Sequence, residues 1–577
     1  MDPKKQLKKN KSRDPHGLTN EIFKSEVAGS DFKVAILALM NRIKSEQIYP
    51  KAMELCNITS IWKKKGPRNE FKSYRGIFRV TVLRSILDRL IYNDEYSKLD
   101  KSLTDCNVGG RKFRNIRDNI FALNAILHAQ KRKNGEAHDF QVYDIETCFD
   151  ALWLHEVVTC LFEAGIQNDK LPLLFLENVN AQVAVKTSSG ISSRVNIRQI
   201  IMQGSVWGSL CCVVLMDKLG KLVYSKPELL YYYKGVVEVP TLQMVDDILG
   251  IQKCSSQATQ LNSVINTFMD LEKLTLSKNK CHRVHIGKVC RNCPVLKVHD
   301  TIMHDSPSET YLGDRIHKSG NNKLNIDTRI AKGFGRVKTI LAMLKESPLG
   351  WTRIKLGLIL RQAMLINGIM FNSESWHGVT QEDVHHLQQV DESLLRGLVF
   401  GHAAIPIPAL YLSMGAVPLK YIWASRRILD LQTILKRNCQ ELTKKMYVVQ
   451  KSDPKKGDFY DLVKKDIELV KLDLNEDDIE TMSKKQLKEI VKRKVKEVAF
   501  KHLLEQKKSK SKMDNIKYPK YEVSPYMRSP LFTQEQASVL LSLRTRTVRG
   551  SGRTLETCLS TNNVRWDVAT LIHFQTF

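Results

Sequence analysis

No apolar run in this sequence is long enough to cross a bilayer. The longest, around Leu210 to Met216, falls far short of the ~20 residues a membrane helix needs. No hydrophobic segment follows the polar start Met1-Asp2-Pro3-Lys4-Lys5, so no secretory signal is predicted. No internal repeat is present, which sets aside a repeat array. The twelve cysteines are mostly scattered, which argues against a disulfide framework and for a reducing compartment. An intracellular protein is expected, in the nucleus and the cytoplasm, with no membrane partner. Acidic residues are also in short supply, 61 against 90 lysines and arginines, for a net charge of +29. Such an excess points to a polyanion, nucleic acid before acidic membrane, although a soluble protein with basic tails has the same composition.

What is present is enough for more than one domain. At 577 residues each domain can bury a full core. A lysine-rich lead covers 1–29. Ser30 opens a helix to about Lys44, with Val34, Leu37 and Ile43 among its apolar positions. A short strand at Cys56 to Trp62 runs into a basic loop, and VTVLRSILDRLIYNDEYSKL reads as a helix. From about 140 to 315 strands alternate with helices. QVAVKTSSGISSRVNIRQI reads as a hairpin turning at Ser188-Ser189-Gly190, and CHRVHIGK as a basic strand. From Ile326 the period is helical: Ile330, Val337, Leu341 and Leu344 share a face. Thr380 with Asp383 resembles a capping box. A lysine-rich helix then carries a stripe of Leu487, Ile490, Val491, Val498 and Leu503. Four regions follow: 1–29, an extended α/β region at 30–315, a helical region at 316–445 and a basic helical region at 446–577.

The chemistry-bearing residues are carboxylates. QMVDDILGI sets Asp246 and Asp247 inside an apolar run, where an unpaired charge is costly. A solvated turn is one explanation, and a bound cation is the other. YDIETCFDALW supplies a second cluster: Asp144 ends an apolar strand, and Asp150 stands where it can cap the helix that follows. If both strands share a sheet, Asp144 and Asp246 meet at its edge and can hold two hard divalent cations, the arrangement of phosphoryl-transfer sites. Between them, Gln203-Gly204-Ser205 precedes a helix. The glycine permits close backbone approach and the helix start offers N–H donors, or the turn is a plain N-cap.

In this order, Asp-x4-Phe-Asp, Gln-Gly-Ser before a helix, Asp-Asp in an apolar hairpin, Lys280 and YLGD, the chain resembles the reverse transcriptases of LINE-type, non-LTR retrotransposons over most of its length, Lys11 to Arg546. The resemblance implies an α/β (α+β) right-hand polymerase: fingers and a palm with an antiparallel sheet over 30–315, an all-helical thumb over 316–445 and a helical C-terminal region. It implies Asp144 and Asp246 as metal ligands for two Mg²⁺ ions (or Mn²⁺), with Asp247 beside them. Lys280 would protonate the leaving pyrophosphate. Phe149 matches the gate that selects deoxynucleotides. Gln203, Gly204 and Ser205 would position template and nucleotide, as would Arg75 and, in VGGRKFRNIRDNI, Gly110 and Arg111. Tyr311, Leu312 and Gly313 match the primer grip. The implied partners are an RNA template, a DNA primer and dNTPs.

LYLSMGAVPLKYIWASRR and SLRTRTVRGSGRT resemble segments of elements with a restriction-like endonuclease. By the same resemblance, N- and C-terminal parts are missing: the DNA-binding fingers and most of the zinc knuckle that Cys558 would open. Met244 replaces the usual aromatic before Val-Asp-Asp, Ile200 a common glycine, and Gly76 a common proline. These departures leave a second expectation, a decayed element that only binds nucleic acid. Cys281, His282, His285, Cys290 and Cys293 have permissible zinc spacing, but His282 and His285 fall on opposite faces of a strand.

Overall fold

A computed structural model describes residues 6–25, 29–130, 138–166, 168–179, 181–187, 190–197, 201–287, 295–345, 351–400, 404–514, 516, 519–528 and 534–545. The chain divides into two compact units. One holds the chain up to Gly320 together with Gln440–Met446, and the other holds Asn321–Cys439 and the chain from Tyr447 on.

The first unit has two principal sheets. In one, β1 (Leu55–Trp62) lies between β2 (Tyr74–Val80), antiparallel, and β4 (Ala181–Thr187), parallel. β5 (Gly190–Ile191) and β6 (Val195–Ile197) both pair with β4. The expected hairpin is therefore one part of a mixed sheet, and its Ser188 and Ser189 lie outside the described residues. Burial fades along β1 toward its tip at Trp62, so the loop 63–73 stands out as a basic, solvent-facing finger.

Two small antiparallel pairs stand apart, β7 (Tyr231–Tyr233) with β8 (Val237–Val239) and β12 (Lys297–Val298) with β13 (Thr301–Ile302). The other principal sheet has the order β14-β11-β3-β10-β9. Its central strand is β3 (His138–Tyr143), antiparallel both to β10 (Asp247–Gln252) and to β11 (His282–Ile286). β9 (Leu242–Met244) pairs antiparallel with β10. β14 (His304–Asp305) pairs parallel with β11, a departure from the expected antiparallel sheet. β10 is buried through Ile248–Gln252, as a strand covered on both faces must be. Gly250 lets the helix Ser255–Leu271 pack closely on this strand, since a Cβ would stand 2.7 Å from Leu261 Cδ2 and displace that side chain.

Five helices matter for the unit's core: α1 (Ser30–Glu46), α2 (Val82–Ser102), α3 (Ile116–Gln130), α4 (Gly208–Tyr224) and α5 (Ser255–Leu271). α1 buries Ile36, Met40 and Ile43 and leaves Val34 and Leu37 exposed. Of the apolar positions named from sequence, Ile43 lies on the buried seam with Ile36 and Met40, whereas Val34 and Leu37 fall on the exposed face. The lysine-rich lead is anchored through Leu7 and Phe23, both buried, and through Asp14. Asp14 accepts from the Leu18 N–H and, through its other oxygen, from the Val82 N–H at 2.9 Å.

The regular elements described in the second unit are helices, with one isolated β-bridge between Met414 and Val523. α6 (Lys323–Met343) buries Ile326, Val337 and Ile340, and it packs on α8 (Gln381–Leu398). α7 (Trp351–Leu360) runs into a π turn at Arg361–Ile366. There Arg361 forks onto the fully buried Asp391 at 2.6 and 2.7 Å, and Tyr411 donates to the same carboxylate. α9 (Leu419–Leu435) packs on α10 (Phe459–Val470) and α11 (Lys484–Lys508). α11 buries Leu487, Val491, Val495, Ala499 and Leu503. Ile490 and Val498, assigned to that stripe from sequence, lie at its edge.

The capping box is present: Thr380 Oγ1 accepts from the Asp383 N–H, and Asp383 Oδ2 accepts from the Thr380 N–H. Thr380→Ala is expected to cost about 1 kcal/mol, read as a shift in the urea unfolding transition. Among the described residues no helix is long and apolar enough to cross a membrane.

Candidate active site

β3 and β10 are neighbours with Tyr143 opposite Ile248. That register decides where the acids go. Asp144 leaves the end of β3 beside the turn Val245-Asp246 that joins β9 to β10. Sequence separation is large, but the sheet brings the two clusters to one edge.

Asp144 is held by its own backbone. Its carbonyl accepts from the Ser277 N–H at 2.8 Å, its N–H donates to Cys281 Sγ, and Glu146 N–H donates to the Thr275 carbonyl. The segment 144–146 thus lies along 275–277, and the turn at Ser277 to Cys281 swings Lys280 over the site. Lys280 Nζ meets Asp144 Oδ2 at 2.7 Å.

The acids repel one another. Burial, with the Asp144 charge behind it, pushes the Asp246 carboxyl above the usual range, while Arg75 and Lys280 oppose the shift. Asp247 is pushed up to about 6, by burial first and then by Asp246 and Asp144. Two carboxyls raised by burial and by their acidic neighbours make a site that gains from a cation. Their donor atoms are all hard oxygens, suited to Mg²⁺. Among the described residues no group of three or more His, Cys, Asp or Glu side chains is arranged to hold a metal ion by itself. Mg²⁺ in polymerase sites needs none, since it takes one or two carboxylates and draws its other ligands from water and phosphate. The residues present fit such an ion.

Arg75, exposed on β2, reaches Asp246 and Asp247 electrostatically. Lys63, at the start of the basic finger, reaches Asp150 in the same way. Asp150 does not cap the next helix, Leu154–Glu163, whose N-cap is Trp153. It sits inside the short helix Cys148–Ala151. Phe149 lies in that same helix, half-buried against the core.

Gln203-Gly204 packs on β2. Phe78 N–H donates to the Gln203 carbonyl at 3.0 Å, and a Cβ on Gly204, at φ +105°, would lie 3.1 Å from the Phe78 carbonyl oxygen. Ser205 Oγ accepts from the Gly208 N–H, the first of α4, whose N-cap is Trp207, so this hydroxyl satisfies one of the free donors at the helix start.

Two expected contacts take other forms. Arg111 is buried: Nε bonds Asp100 Oδ1 at 2.7 Å, and its other nitrogens reach the carbonyls of Thr104, Asn107 and Asp100. A guanidinium engaged this way ties the loop 103–111 to the end of α2 and presents no fork to a nucleotide. Tyr311 ends β15 (Ser308–Tyr311), which pairs with β16 (Asp314–His317). Its hydroxyl is buried and donates to the Leu242 carbonyl on β9 at 2.8 Å. The hairpin tip is Leu312-Gly313, both at positive φ, as a two-residue turn of type I′ requires. His282 faces Glu309 and His285 faces Asp139, so they form no common zinc site. Cys290 and Cys293 lie outside the described residues.

Sequence reasoning missed the wall behind the acidic turn. Val245 stands at φ +61°, a conformation that costs a β-branched residue on the order of 1–3 kcal/mol. The segment 106–109 lies against it: Gln243 N–H donates to the Cys106 carbonyl and Val108 N–H to the Gln243 carbonyl. The Gly109-Gly110 pair was the one signal of a close approach there.

Residues 62–316 match the family described as reverse transcriptase (RNA-dependent DNA polymerase). No curated protein gives a match. Similar solved structures include the apo telomerase from Candida tropicalis truncated from the C-terminal domain, at TM-score 0.34 and 14% identity, over 50% of this chain and 59% of that one. Another is the telomerase from Candida albicans in complex with a TWJ fragment of telomeric RNA, at TM-score 0.36 and 12% identity, over 62% of this chain and 64% of that one. This chain thus spans about three fifths of those proteins' lengths.

Proposed function

We propose that this chain, which carries a reverse transcriptase domain of right-hand polymerase fold at residues 62–316, extends a DNA primer on an RNA template. The observation that carries the reading is the meeting of Asp144 with Asp246 and Asp247 at one sheet edge, with Lys280 on Asp144 and the charge of Arg75 opposite. Two Mg²⁺ ions (or Mn²⁺) held by Asp144 and Asp246 would supply activation of the primer 3′-hydroxyl and charge neutralisation at the phosphates.

The remaining work falls to side chains. Arg75 faces the acids from β2 and so stands to hold the triphosphate. The primer oxygen forms its bond to the α-phosphorus of the dNTP as the bond to pyrophosphate breaks. Lys280, whose ammonium lies on Asp144, would deliver a proton to that leaving group. Gln203 and Gly204, packed on β2, stand to support the templating base. Leu312-Gly313 stands to guide the primer. The source we propose is a LINE-type retroelement. What supports it is the lead segment, whose Asp14, Leu7 and Phe23 are built into the polymerase unit rather than appended to it.

Primer extension on an RNA template with Mg²⁺ and dNTPs tests the reading. Extension that chelation abolishes supports it. Tight hybrid binding with no extension would instead establish a nucleic-acid-binding remnant. Phe149 gives a finer test. If its ring crowds the ribose 2′ position, Phe149→Val should lower the preference for dNTP over rNTP by about tenfold or more. An unchanged ratio of kcat/KM values would remove that role.

A further inference from the structure

Asn107 is 1% exposed and carries an amide with two faces to satisfy. Its Oδ1 accepts from the Val245 N–H at 3.0 Å and from the Gly109 N–H at 3.0 Å. Its Nδ2 donates to the Val245 carbonyl at 2.9 Å. The two backbone donors fix the amide orientation, because only the oxygen can accept from them. One side chain therefore grips both polar groups of the one strained residue in the acidic turn. A turn with φ > 0 at its first central position normally takes glycine. Here valine holds it, and the next residue is Asp246.

We propose that Asn107 is the positioning residue of this turn. Its amide keeps Val245 in the left-handed region and so sets where the Asp246 carboxylate stands. The inference rests on the polymerase reading for its catalytic consequence, although the clamp itself can be observed without catalysis. The reason to expect a consequence is geometric: a misplacement of about 1 Å at a reacting centre can cost around a hundredfold in rate. Asn107 is enclosed, so its loss should fall on kcat and leave the dNTP KM nearly unchanged.

Asn107→Leu keeps the volume and removes the hydrogen bonds. It is expected to lower kcat for extension roughly twentyfold while hybrid binding is retained. In a Val245→Gly background the left-handed conformation no longer needs the clamp, and the same substitution should cost no more than about threefold. A merely structural loss would be equal in both backgrounds, and that result would overturn the proposal. So would a kcat within twofold of the wild type. If N107L does not fold, Asn107→Asp, which keeps the acceptor oxygen, carries the comparison. Hydrogen exchange of residues 242–249 in the protein without substrate separates the two layers of argument. Faster exchange there, with β3 unchanged, supports the clamp even if the wild type extends no primer, in which case only the polymerase reading fails. Unchanged exchange overturns the clamp.

Discussion

Asp246→Asn is expected to abolish measurable primer extension, a loss of about a thousandfold or more, while the protein still folds and still binds an RNA–DNA hybrid. The side chain keeps its size. The turn keeps its fixings, which run through the Val245 backbone and Asn107 rather than through the Asp246 carboxylate. What disappears is one negative charge in a site where Asp144 is already paired with Lys280 at 2.7 Å. A neutral amide is a poor ligand for a hard divalent cation. Losing charge stabilisation of about 4 kcal/mol in the transition state corresponds to about a thousandfold in rate. Hybrid binding should hold or rise slightly, because removing an acid reduces repulsion of phosphates. Single-turnover extension beside a filter-binding assay reads both quantities. Retention of a tenth of wild-type extension would show that Asp246 is not a ligand and would reopen the solvated-turn explanation.

How much of this was legible in the sequence depends on how local each feature is. β3, β10 and α4 were legible because their apolar periods and bounding acids or glycines lie within a few residues of each other. The pairing of Asp144 with Asp246 followed from assuming one sheet, and Tyr143 opposite Ile248 supplies it. The Thr380 cap was legible for the same local reason. Arg111 was not. Whether an arginine points at solvent or at its own loop depends on Asp100 and three carbonyls, and no pattern in VGGRKFRN encodes them. α1 shows the same limit: Val34 and Leu37 are as apolar as Ile36 and Met40, and only the packed partner decides which face is covered. Asn107 was illegible because an asparagine beside glycines reads as a turn residue, and its partner lies more than a hundred positions away. The acids of the candidate site are visible in sequence, whereas what holds them in place is long-range.

Gly109→Ala should expose that hidden support with the second-largest effect. Gly109 is not at positive φ, so alanine suits its backbone and the cost is one of space alone. The added Cβ would stand 2.5 Å from Val245 N, 2.5 Å from Val245 Cγ2 and 3.1 Å from Asn107 Oδ1. Val245 N is backbone and cannot rotate away, so the turn or the segment 106–109 must move by several tenths of an ångström. Either displacement carries Asp246 with it or breaks the Asn107 grip. A loss of roughly a hundredfold in kcat is expected, with the dNTP KM little changed. Gly110 offers a contrast. It sits at φ +62° and its nearest neighbour would be Ser209 Cβ at 3.2 Å, so alanine there strains its own backbone and leaves Val245 untouched. Extension by G109A within threefold of the wild type would show that the wall yields without moving the acid. The combination decides whether the two residues act through one element. If Gly109 and Asn107 both work by placing the Val245 turn, G109A with N107L should lose little more than G109A alone. If the two losses multiply instead, the turn is not their shared target, and the acidic edge owes its position to something other than this segment.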